Sequence, residues 1–178
     1  MTDTPAALYL KDIPEQFRKL KGLADKAVAQ VRDEDLLVNL DAESNSLAQL
    51  LQHMGGNLRS RFTDFLTSDG EKPDRDRDRE FEVKPETARA GLLARWESGW
   101  SALFGALDGL TEGDLTKTVL IRAEPHTVVR ALDRALSHAA YHVGQIVFLA
   151  KHLASDRWQT LSVPRGGSKE FNERMFGR

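Results

Sequence analysis

Thr127 to Leu153 reads TVVRALDRALSHAAYHVGQIVFLAKHL, and this stretch decides the fold. Val128, Leu132, Ala135, Leu136, Ala139, Val143, Ile146, Val147 and Ala150 recur at intervals of three and four. That period lays them along one face of an α-helix. Pro125 stands just ahead, where a proline is tolerated because no helical N–H is needed yet. A long helix with a single apolar face must bury that face against other elements.

The rest of the chain supplies partners of the same kind. Pro5 to Val31 carries a stripe of Phe17, Leu20, Leu23, Ala24, Ala27, Val28 and Val31, with Pro14 expected to kink the helix or to mark where its regular part begins. After a polar connection from Arg32 to Asn45, Ser46 and Gln49 have the spacing of a capping box. Leu47, Leu50, Leu51, Met54, Leu58, Phe62 and Phe65 follow as the apolar face of a second helix. Gly55-Gly56 is unfavourable inside it, which a close approach by another helix or a ligand would explain, as would simple tolerance. Pro85 suits the first position of a third helix, with Glu86 in its first turn and a stripe of Leu92, Leu93, Trp96, Trp100, Leu103, Phe104 and Leu107. The two tryptophans read as core or dimer-interface residues, with an aromatic substrate wall as the alternative.

Two long connections remain. Thr67 to Lys84 contains the sign-alternating run Asp74-Arg75-Asp76-Arg77-Asp78-Arg79-Glu80, which reads as a solvated loop laced with ion pairs. The rival reading is a loop that presents arginines to an anionic substrate. Gly109 to His126 holds Thr118-Val119-Leu120-Ile121, a candidate short extended piece. Residues 154–178 form a tail whose Trp158, Leu161 and Phe171 are expected to pack back on the bundle. Four long helices with no convincing strand pattern indicate an all-α fold, a four-helix bundle in one domain spanning residues 1–178. The connection between the second and third helices exceeds what an antiparallel hairpin needs, so a crossover that leaves them parallel is open.

Composition limits the chemistry. The chain has 178 residues, 40% of them hydrophobic, with 25 basic against 27 acidic residues and a net charge of −2. This balance argues against a whole-domain grip on nucleic acid. No apolar run approaches the roughly 20 residues of a membrane helix, and Met1 to Asp12 shows no secretory pattern, so a cytoplasmic location is expected. There is no cysteine, which excludes disulfides, thiolate metal ligands, iron–sulfur clusters and a cysteine nucleophile. Any metal must be held by carboxylates and the five histidines.

His138 and His142 lie one helical turn apart, about 6 Å along the axis, and so on one face. Such a pair can grip one divalent ion, or can be two core or surface histidines at a chance spacing. His53, beside the apolar stripe of the second helix, could complete a three-histidine set, the usual form of a catalytic site with an open fourth position. His126 reads as a surface or capping residue at the start of the fourth helix. His152 lies about 15 Å beyond His142, too far to share a metal, and suits the negative end of the helix dipole.

Three stretches carry more specific information: HMGGNLRSRFTDFLTSDGEKP from His53, HAAYHVGQIVFLAKH from His138 and WQTLSVPRGGS from Trp158. In this order they resemble an uncharacterised branch of the DinB/YfiT-like superfamily of metalloenzymes. The resemblance covers nearly the whole chain. It implies a four-helix bundle of up-down-down-up topology and a divalent metal at His53, His138 and His142, with water in the open position. It also implies a homodimer, and an activity of the kind found in members that use bacillithiol, mycothiol or glutathione for S-transfer or isomerisation.

Three functions follow as expectations. The first is a metal-dependent transferase acting with a low-molecular-weight thiol, which must come from outside because the chain has none. Arg59, Arg61 or the arginines of the 74–79 loop would then hold that cosubstrate's carboxylates. The second is metal-assisted hydrolysis, with Asp64 and Glu97 as nominal general bases. The third is a non-catalytic metal- or ligand-binding dimer. Imidazole suits zinc, nickel, copper and iron, with zinc or nickel placed first. Asn57, Asp64, Tyr141 and Gln145 are the candidate pocket residues, and the partner is a small molecule.

Overall fold

The computed structural model describes residues 2–84 and 86–177. Four long helices, α1 (Pro5–Val28), α2 (Leu47–Phe62), α3 (Arg89–Asp108) and α4 (Val128–Ala154), form a bundle. A two-stranded hairpin, β1 (Thr118–Ile121) and β2 (Glu124–Thr127), precedes α4, and a short helix α5 (Ser168–Phe176) closes the chain. Three of the four long helices, α1, α2 and α4, start where a side chain satisfies a free backbone donor. Thr4 accepts from the N–H of Ala7 at the head of α1, and Thr127 from that of Arg130 at the head of α4. At the head of α2, Ser46 Oγ accepts from Gln49 N while Gln49 Oε1 accepts from Ser46 N, completing the capping box. Pro14 does not end α1, which runs on through it as one helix.

Pairwise contacts fix the directions. Along α2 and α3, Gln52 meets Arg95, Gly55 meets Gly99, and Phe62 shares a groove with Ala102 and Ala106, so both chains advance together and the helices are parallel. Along α1 and α4, Tyr9 Oη donates to Asp133 at 2.7 Å, while Gln30, just past α1, bonds to Gln159, just past α4. These two are parallel as well. Between α1 and α3 the order reverses, with Phe17 on Trp100 and Lys21 on Glu97, while Arg89 bonds the carbonyl of Val28. The topology is therefore up-down-down-up, and the chain between α2 and α3 is the crossover.

Three details depart from the sequence reading. The third helix begins at Arg89, with Glu86 in a turn before it; the expectation about Pro85 lies outside the described residues. The piece Thr118–Ile121 has a partner, so the bundle carries a small antiparallel sheet in which Thr118 faces Thr127 and Ile121 faces Glu124. His126 is consequently neither a cap nor a surface residue: it is buried in β2, its Nδ1 bonded to the carbonyl of Glu124 at 3.0 Å, and Thr127 caps the helix instead.

The core is continuous across the bundle. Trp96, Trp100, Phe17, Leu50, Leu132 and Ile146 are among its largest fully buried side chains. Trp96 and Trp100 therefore belong to the core, the former donating to Asp25 at 2.8 Å, and neither forms a substrate wall. Beyond α4, Trp158 and Leu161 pack against this core, whereas α5 buries no residue and leaves Phe176 84% exposed. Among the described residues no helix is long and apolar enough to cross a membrane.

Candidate metal centre

His53 stands in the middle of α2, and His138 and His142 on the face of α4 that opposes it. The antiparallel packing of these helices turns all three rings inward. His53 Nε2 lies 3.4 Å from His138 Nε2, and His142 Nε2 lies 3.1 Å from the same atom. Two nitrogens bound to one zinc-like ion at 2.0–2.1 Å in tetrahedral geometry stand about 3.3 Å apart. The three donors all lie within 4.8 Å of one another, so the set could hold one metal ion.

The opposite nitrogens fix how the rings are presented. His53 Nδ1 donates to Glu80 Oε2 at 2.8 Å, and His142 Nδ1 donates to Gln145 Oε1 at 2.8 Å. An acceptor on Nδ1 requires the proton there, which leaves the Nε2 lone pair of each ring pointing at the shared centre. Burial, the nearby rings of His142 and His53, and the charges of Arg75 and Arg61 push the His138 pKa down to about 3. Burial and the nearby His53 ring likewise lower that of His142, against the effect of its bond to Gln145. Neutral imidazoles are the state in which a metal binds.

The loop between α2 and α3 supplies what holds His53. Gln52 donates to the carbonyls of Arg79 and Glu80, and Gln49 to that of Phe81, so two α2 side chains clip the turn Asp78–Phe81 onto the helix. This places Glu80 against His53 and stacks Phe81 on the His53 ring, with centroids 4.8 Å apart. Arg75 grips the same carboxylate with two bonds, Nε to Oε1 at 2.8 Å and Nη2 to Oε2 at 2.9 Å. Burial alone would raise the Glu80 pKa, but the bonds from His53 and Arg75 and the Arg75 charge hold it below the usual carboxylate value. Arg75 passes on to Glu71, which also meets Arg61 and Arg122.

The charged run is thus laced with ion pairs as expected, but it is not wholly solvated: the Arg75 side chain is 5% exposed and Glu80 is buried. Arg79 does stay outside, paired with Asp76. Sequence reasoning missed Glu80 and Phe81, and named Arg75 only among the loop arginines for a cosubstrate and not as the partner of Glu80, because nothing in an alternating charge run marks which members turn inward. One indirect signal existed. A Cβ on Gly56 would strike the Glu80 carboxylate, so the second glycine of Gly55-Gly56 makes room for this side chain, while the first admits the backbone of α3.

A cavity of about 510 Å³ opens from the three histidines. Of the candidate pocket residues, Asn57 and Tyr141 line it, and Gln145 bonds His142 from behind. Asp64 does not line it: α2 ends at Phe62, Thr63 turns extended and Asp64 takes a positive φ of 50°, so the helical register that would have carried it inward is lost. Glu97 lies away from the cavity, bonded to Lys21 across α1 and α3. Arg59 also faces away, whereas Arg61, Arg75, Arg77, Arg122 and Arg134 line the walls.

Fold and site together define a helical bundle with a buried three-histidine set able to hold a metal. The chain belongs to a family of proteins of unknown function, DUF1572, whose model matches residues 4–167. That family falls within the DinB/YfiT-like group. Among curated proteins nothing matches the chain.

Proposed function

We propose that this protein is a metal-dependent enzyme that transfers the sulfur of a small external thiol to an electrophilic substrate. The observation that carries the reading is the convergence of three imidazoles, two with their rings held from behind by hydrogen bonds, on one end of an open cavity of about 510 Å³. A site closed by four protein ligands would be structural; three histidines facing a cavity leave a position for a substrate atom. A divalent ion held there supplies the positive charge that favours ionisation of a thiol, whose free pKa is about 8.5. The thiol loses its proton to solvent, its sulfur forms a bond to carbon, and the leaving group departs with the electron pair of the broken bond.

The chain's own residues bind and orient. Glu80 and Gln145 hold the rings of His53 and His142, and Phe81 shields one face of His53. Phe62, Phe65, Leu120 and Ile121 provide apolar wall for the body of a substrate. Hydrolysis is the weaker reading, because a general base is wanted and no carboxylate lines the cavity among the described residues.

The test has two stages. Elemental analysis of the purified protein is expected to find about one divalent ion per chain, lost or much reduced in His138→Ala. The cobalt-substituted protein, titrated with glutathione, bacillithiol and mycothiol, is expected to develop sulfur-to-cobalt absorption with at least one of them. Full metal occupancy in His138→Ala overturns the ligand set, and an unchanged cobalt spectrum with every thiol overturns S-transfer.

A further inference from the structure

The arginines of the cavity are not used by the chemistry described above. Five of them line it, and among the described residues no aspartate or glutamate does. Behind the walls, Glu80 and Glu71 are shared by Arg75, Arg61 and Arg122, which leaves two carboxylates against three guanidiniums. Arg77 and Arg134 have no carboxylate partner among the described residues, Arg77 resting instead over the ring of Phe81. Arg61 is engaged on one side only. Its Nη2 meets Glu71 at 2.9 Å, while its Nη1 is buried and makes no hydrogen bond among the described residues. Buried donors of this kind are rare and call for an acceptor.

Placement gives these charges a meaning. Arg134, His138 and His142 follow one another at single-turn spacing on α4, so Arg134 projects from the same face about 6 Å along the axis from His138. Ala131 and Ala135 on the same helix are small and keep the cavity open. Arg61 enters from the last turn of α2, and Arg77 from the crossover loop. Guanidinium groups recognise carboxylate and phosphate oxygens by paired, charge-assisted hydrogen bonds.

We propose that Arg61, Arg77 and Arg134 form an oxyanion subsite, which holds a carboxylate or phosphate of the small-molecule substrate about one helical turn from the three histidines. This rests on the reading of the same cavity as the substrate site, and it specifies that site's ligand as anionic. The apolar wall of Phe62, Phe65, Leu120 and Ile121 then accommodates the uncharged body that joins the anion to the reacting atom.

Calorimetric titration of the full-length purified protein at low ionic strength tests this with succinate, inorganic phosphate and the neutral succinamide. Succinate or phosphate is expected to bind saturably and succinamide not to bind; whichever anion binds more tightly assigns the subsite to carboxylate or to phosphate. Arg134→Gln and Arg77→Gln alter exposed side chains and should leave the fold intact, yet each is expected to weaken anion binding about tenfold, as the loss of a charge-assisted bond requires. Arg79→Gln, on the outer side of the same loop, is the control and should bind as the parent does. No saturable anion binding, or equal losses in Arg79→Gln, overturns the subsite. Binding abolished in His138→Ala but unchanged in Arg77→Gln and Arg134→Gln also overturns it, because the anion would then sit on the metal. Arginine-dependent binding by a protein that proves to contain no metal would sink the metalloenzyme reading and leave the subsite standing.

Discussion

Replacing Glu80 by glutamine retains an acceptor for His53 Nδ1 but removes the charge that balances Arg75. Two consequences follow from that one change. The carboxylate raises the electron density of the imidazole it holds and fixes its rotation, so metal affinity in Glu80→Gln should fall about 10–100-fold, measured by competition with a chromophoric chelator. The buried Arg75 guanidinium would also lose its bidentate partner, and breaking such a pair costs about 3–5 kcal/mol; Glu71 remains beside it and should reduce that figure. Unchanged metal affinity in a folded Glu80→Gln protein would show that the Glu80 charge adds nothing to metal binding beyond the acceptor that glutamine retains. The residue itself was invisible in the sequence, whereas the three histidines were not. Histidine spacing on a helix is a geometric statement that needs only the helix. Glu80 reaches His53 through a crossover loop whose path depends on Gln49 and Gln52 capturing its carbonyls.

At the scale of elements, the helices were legible because periodicity and capping depend on local sequence. The α2 start at Ser46 and the α4 start after Thr127 both follow from side chains that cap their own backbone. The hairpin was half legible. Thr118–Ile121 has strand character, but its partner contains Pro125 and His126, and the turn is Arg122-Ala123, with φ of 55° and 60°. Such turns usually carry Asn-Gly. Here Asp69 from the crossover loop accepts the N–H of Arg122 at 2.9 Å and of Ala123 at 2.7 Å, so a distant carboxylate holds a conformation that the local residues would not choose. The pairing of α2 with α3 was legible only as a question, through Gly55. A Cβ at that position would stand 2.6 Å from the carbonyl oxygen of Arg95, and backbone cannot move aside as a side chain can. Gly55→Ala should therefore destabilise the protein by about 1–3 kcal/mol, the usual cost of overpacking, despite the better helix propensity of alanine. Urea denaturation measures it. A stability equal to or above the parent's would mean that α2 and α3 can separate without penalty.

For the whole molecule, the burial of uncharged imidazoles between helices ties stability to pH. In the unfolded chain His138 takes up a proton near its ordinary value of 6.5, whereas in the folded, metal-free protein it resists protonation until about 3. Between these values the unfolded state binds more protons than the folded one, so stability rises with pH and is fully present only above about 6.5. The lowered pKa of His142 acts in the same direction. Glu80, held below its ordinary value of 4.5, adds a loss at lower pH, as the carboxylate that pairs with His53 and Arg75 becomes protonated. All three contributions fall on acidification and none opposes the others. The melting temperature of chelator-treated protein should therefore hold steady from pH 8 to 7 and decline from pH 6.5 towards 4. His138→Ala removes one of the resisting groups, so its decline between pH 6.5 and 4.5 should be shallower than the parent's, whatever its absolute stability. The slope is the informative quantity, because the cavity left by the truncation lowers stability at every pH alike. Parallel declines in parent and variant would mean that His138 is not held neutral by the fold, and with that the reason for reading the three rings as a preformed donor set would fail.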